Sequence, residues 1–65
     1  MSAIDKAAAL RELRTALDKT QEEMAVTLGD ISGDSVSLYE LGKRPVPGPV
    51  WRLIQQERLR VGLPV

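Results

Sequence analysis

Residues 20–44 read TQEEMAVTLGDISGDSVSLYELGKR, and the way this stretch divides decides the fold. Thr20 followed by Glu23 has the capping-box pattern, in which the threonine hydroxyl accepts the third helical amide and the glutamate reaches back to the cap amide. Met24, Ala25 and Leu28 share one stripe, and Gly29 offers the left-handed conformation at which helices stop. A short helix is predicted over about 21–28. The segment from Asp30 to Gly33 is turn-like, and a second helix is predicted over about 34–41, with Asp34 or Ser35 as its cap and Gly42 as its stop.

Upstream, Ser2 and Asp5 form a second capping-box pattern, and Leu10, Leu13 and Leu17 recur among good helix formers, which predicts a helix from about Ala3 to Asp18. Downstream, Pro45, Pro47 and Pro49 alternate, so each preceding residue is pushed toward extended geometry and the loop is stiff. Pro49 at the first helical position, with Val50, Leu53, Ile54 and Val61 on one side, predicts a last helix over about 49–61, ended by Gly62 and Pro64. No segment alternates as a strand does, and there is no internal repeat. The expected class is all-α, a compact bundle of four to five short helices forming one domain over residues 1–65.

Sixty-five residues bury only about 60 % of the surface that the unfolded chain exposes, so a second copy of the chain would help a marginal core. With no cysteine and no histidine, disulfides are excluded and zinc would have to be held by carboxylates alone, so neither a structural metal nor a cofactor is expected. Asp5 and Lys6 interrupt the first apolar residues, and no apolar run approaches the roughly 18 residues that span a bilayer, so a cytoplasmic location and no membrane partner are expected. The net charge is zero, but residues 1–34 carry four basic against seven acidic side chains and residues 35–65 carry five against two. The basic excess begins at Ser35, the asymmetry expected of a neutral chain with one surface for nucleic acid.

Two short helices joined by a tight turn, the first opening TQEEMA and closing LG, the second written SVSLYELGKR, closely resemble the phage-repressor-like helix-turn-helix family, the Cro/cI or XRE type. The match runs from about Leu10 to Ile54. It is carried by Gln21, Ala25 and Gly29, then by Val36, Tyr39, Glu40 and Gly42, with Arg14 in the first helix. The resemblance implies a lambda-repressor-like DNA-binding fold whose helix-turn-helix covers about 21–41. The step from Gly29 to Val36 is one residue longer than the family's usual spacing. Without an inserted residue Ser35 would fall in the core; with one, Ile31, Val36 and Tyr39 turn inward together, which implies a longer turn around Asp30 to Gly33. In the family the arginine matching Arg14 pairs with the glutamate matching Glu40, which implies a structural ion pair here.

At about 100° per residue, Val36, Tyr39 and Glu40 face inward, while Asp34, Ser37, Leu38 and Leu41 face outward. In the resembling family the outward face enters the major groove. Leu38 would then contact a thymine methyl, Ser35 and Ser37 bases or phosphates, and Asp34 cytosine N4. Both leucines have an alternative in packing on the last helix or on a second subunit; the groove is the expectation for Leu38 and packing for Leu41. The family uses the glutamine matching Gln21 on a phosphate. Lys43 and Arg44 are expected phosphate contacts, with Arg52 joining them. Trp51 lies off the main stripe of the last helix and Leu59 on its far side, which leaves core edge or dimer interface open for the tryptophan and makes the pair the candidate dimer interface.

The serines have no histidine base and no glycine loop cradles a phosphate, so an enzyme is not expected. The expected function is a sequence-specific DNA-binding transcriptional regulator: a small homodimeric repressor of bacterial, phage or mobile-element type, acting on its own or a neighbouring promoter. It would read an inverted repeat in double-stranded DNA with half-sites roughly 34 Å apart. The alternative is a protein-protein interaction module, antitoxin-like or polymerase-associated, that reuses the same scaffold. Without a separate ligand domain, no small-molecule ligand is expected.

Overall fold

The computed structural model describes residues 5–29 and 31–64, and over them the chain forms α1 (Lys6–Ala16), α2 (Gln21–Thr27), α3 (Gly33–Glu40) and α4 (Gly48–Arg60). No strand occurs among the described residues. Asp5 is the cap of α1: its Oδ1 accepts from the amides of Ala7 at 3.1 Å and Ala8 at 3.2 Å. This corrects the expected box, in which Asp5 sat inside the helix; Ser2 and the expected start at Ala3 lie outside the described residues. The other end also falls short of expectation. Leu17 is the C-cap, and Asp18 takes the left-handed conformation at φ 53°, which aspartate tolerates better than most residues.

The capping box of α2 forms as its pattern predicts, with the Glu23 amide donating to Thr20 Oγ1 at 3.1 Å and the Thr20 amide to Glu23 Oε1 at 2.8 Å. The Thr20 amide, and after it the Thr20 hydroxyl, hold the Glu23 carboxyl below its ordinary pKa. Gly29 comes next to the helix end at φ 104°. The expected cap of α3 is corrected: neither Asp34 nor Ser35 but Ser32 caps it, accepting the Ser35 amide at 3.1 Å. The physical reason is a close approach. Gly33 begins α3 against α2, where a Cβ would stand 2.8 Å from Glu22 Cγ and 3.3 Å from Glu22 Cα, so the helix starts at the only residue type that fits.

Gly33→Ala is therefore expected to destabilise by about 1–3 kcal/mol through overpacking, although in an open helix the same change would stabilise by roughly 0.5–1 kcal/mol. Urea unfolding of the two proteins checks the sign. An alanine variant at least as stable as the wild type would mean that α2 and α3 do not approach this closely.

The inserted-residue reading holds for burial: Val36 and Tyr39 are buried, and Ile31 is half-buried against the same core. That core joins Leu10 and Leu13 of α1, Met24, Ala25 and Leu28 around α2, Val36 and Tyr39 of α3, and Ile54 of α4. α3 packs on both α1 and α2, and α4 on α1. The Cα radius of gyration is 10.7 Å, close to the value of about 11 Å expected of a folded chain this long.

α4 departs from expectation twice. It begins at Gly48 with Pro49 second, not first, and Leu53, expected on the core stripe, is 37 % exposed. Arg58, one turn after Ile54, is buried along with it. No described helix is long and apolar enough to cross a membrane.

Candidate functional site

Glu40, at the end of α3, is the point on which α1, α2 and α3 converge. Its side chain is 2 % exposed and its two carboxylate oxygens take Arg14 Nε at 2.7 Å and Arg14 Nη2 at 3.0 Å. The third nitrogen of that guanidinium, Nη1, donates to the Lys19 carbonyl at 3.1 Å. This two-pronged geometry is the strong form of the arginine–carboxylate pair. The hydrogen bond to Glu40 raises the Arg14 pKa above its ordinary value, against a smaller opposing effect of burial. The Arg14–Glu40 pair thus stands where the resemblance implies it.

Two further donors reach the same carboxylate. Gln21 Nε2 lies 3.4 Å from Glu40 Oε1, so its amide is turned toward the α1–α3 contact rather than freely outward. Arg11 Nε is 3.8 Å from Oε1, and Arg11 Nη2 donates to the Glu40 carbonyl at 3.4 Å. Sequence reasoning missed Arg11. Its spacing of three from Arg14 puts both on one face of α1, and that was the available signal.

The outward side of α3 is only partly free. Asp34 is exposed, Ser37 and Leu38 are half-buried, and Lys43 and Arg44 are exposed just beyond the helix. Leu41 is 58 % exposed and does not join the apolar residues packed on the core, so of the two packing sites expected for it, α4 is ruled out and a second subunit is left. The physical reason is that Leu41 caps a helix whose inward positions are already filled by Val36, Tyr39 and Glu40. Ser35 is engaged within the chain: its Oγ accepts from Ser32 Oγ at 3.0 Å and from Arg44 Nη1 at 3.3 Å.

On α4, Arg52 lines a shallow depression with Gln55, Gln56 and Leu59, whereas Arg44 lines a different cleft with Tyr39 and Gly42. Trp51 packs on the edge of the core with Lys6 Nζ 5.5 Å from its ring centroid, while Leu59 is 66 % exposed.

Arg58 is the second residue that sequence reasoning missed. It is 6 % exposed and ties three segments together, with Nη1 on the Ala9 carbonyl at 2.9 Å and on Glu12 Oε1 at 2.8 Å, and Nε on the Pro64 carbonyl at 2.9 Å. Its spacing of four from Ile54 places it on the inward side of α4.

Among the described residues no three acidic, histidine or cysteine side chains gather as metal ligands. Comparison with protein-family models, curated proteins and solved structures finds no match.

Proposed function

We propose that this protein is a small sequence-specific DNA-binding regulator of the phage-repressor-like, helix-turn-helix type, acting as a homodimer on an inverted repeat, with repression as its action. The observation that carries the reading is the α2–α3 pair. A capped short helix and a turn lead into a second helix whose Val36, Tyr39 and Glu40 are spent on the core, which leaves Asp34, Ser37 and Leu38 for a partner. Two exposed cations, Lys43 and Arg44, come directly after it. Such a helix suits base edges and such cations suit phosphates. Gln21 and Arg52 are candidates for outer contacts to the DNA backbone, and Leu59 for the contact between subunits. No catalytic role is assigned to any residue.

Two observations favour a second reading, a protein-binding module. Leu41 and Leu59 are largely exposed, and the net charge is zero.

Selection of bound sequences from random duplexes at near-physiological salt separates the two. The expected result is an enriched inverted repeat with half-site centres roughly 34 Å apart, and a salt dependence that corresponds to about four to eight phosphates per dimer. Leu38→Ala is expected to relax preference at one base pair of each half-site, by about 1 kcal/mol, through loss of the apolar contact with the thymine methyl. An enriched repeat whose every position is unchanged in the Leu38 variant removes that residue from the groove. Recovery of no enriched sequence, with a protein captured instead, favours the module.

A further inference from the structure

Leucine stands on the outward face of α3 where a base-reading arginine would serve, and the fold supplies an arginine from outside the helix. Gly42, at φ 73°, lets the chain turn back over the end of α3, with the Lys43 amide on the Leu38 carbonyl at 3.0 Å. Arg44 then reaches back along the helix. Its Nη1 donates to Ser35 Oγ at 3.3 Å, and that oxygen is itself held by Ser32 Oγ, the helix cap, at 3.0 Å. Ser35 lies in the first turn of α3, about 60° around the helix from Leu38.

The loop residue is thereby carried to the amino-terminal half of α3, at Ser35, about one turn before Leu38. In a helix laid in the major groove this is the half that meets base edges. Of the five donor hydrogens of a guanidinium, one is spent on Ser35. No ion pair among the described residues involves Arg44. A residue serving only the phosphates has no need of this anchor; Lys43, which lies on the same turn, makes no side-chain hydrogen bond among the described residues.

We infer that Arg44 reads a guanine, donating to its O6 and N7 in the major groove, and that Ser32 and Ser35 position it. The inference rests on the DNA-binding reading and sharpens it. Each half-site then holds a guanine near the thymine read by Leu38.

The test compares wild type, Arg44→Ala and Lys43→Ala, first by selection from random duplexes and then by titration of the enriched duplex with one half-site altered. Far-UV circular dichroism checks that all three fold. Changing that G·C pair to A·T is expected to weaken wild-type binding about 5- to 150-fold, and replacing the guanine by 7-deazaguanine to weaken it by part of that. Arg44→Ala loses both effects, whereas Lys43→Ala weakens every duplex alike and keeps both.

A wild-type repeat without that guanine, or an Arg44→Ala variant that still prefers it, overturns the inference and leaves the DNA-binding reading standing, with Arg44 a phosphate contact. No enriched repeat for the wild type overturns both.

Discussion

Glu40→Ala is expected to lose about 3–5 kcal/mol of folding free energy, the cost of breaking a buried ion pair from one side. The carboxylate is 2 % exposed and the Arg14 side chain 23 %, so water reaches part of the stranded guanidinium and the lower end of that range applies. Even so, the loss is large on the scale of the molecule. At roughly 0.05–0.15 kcal/mol per residue, a chain of this length holds about 3–10 kcal/mol in all, so the variant loses from about a third to all of its stability at 25 °C.

Arg14→Ala should cost less than Glu40→Ala, because Arg11 and Gln21 already stand within 3.8 Å and 3.4 Å of Glu40 Oε1 and remain as substitutes. Thermal unfolding followed by circular dichroism, with the double variant closing the cycle, measures the coupling. A loss below about 1 kcal/mol for Glu40→Ala would place the pair with solvated surface bridges.

Arg58→Ala is the second large effect, about 2–4 kcal/mol, from lost packing of the buried stem and lost charge-assisted bonds to carbonyls. Nε and Nη2 both bind the Pro64 carbonyl, at 2.9 Å and 2.6 Å, and Nη1 binds the Ala9 carbonyl. The residue therefore clasps the segment after α4 against α1. Arg58→Lys should recover only part, since an ammonium does not match this fork. Glu12→Ala should cost under about 1 kcal/mol because that partner is 57 % exposed and the pair is screened. Denaturant unfolding gives the energies, and amide exchange at Leu63, whose N–H donates to the Arg58 carbonyl, reports release of the tail. If Arg58→Ala stays within about 0.5 kcal/mol of wild type, desolvation of the guanidinium cancels what its bonds contribute.

Much of the arrangement was legible in residues 20–44. Thr20 and Glu23 make a box from side chains three apart, Gly29 and Gly42 adopt the left-handed turns for which they are suited, and the apolar spacing put Val36 and Tyr39 inward. Arg14 with Glu40 was legible only through the family resemblance, since nothing in the spacing of residues 26 apart indicates contact. The cap of α3 was not legible. Asp34, Ser35 and Ser32 all suit a cap, and the choice fell to Ser32 because Gly33 meets Glu22 across the turn. The burial of Arg58 was not legible either: hydropathy ranks leucine inside, but the arginine sits where two carbonyls and a carboxylate from other segments converge.

What the sequence by itself determined is local: four helical segments, their glycine stops, one cap box and a charge shift that starts at Ser35. These depend on neighbours within a turn or two of chain, where spacing alone specifies contact. Only the tertiary structure decided where the arginines go. Arg58 is buried, Arg11 and Arg14 share one carboxylate, and Arg44 folds back onto Ser35. A long flexible cation takes whichever acceptors the packed helices bring within its reach, and those acceptors do not exist until the helices have packed.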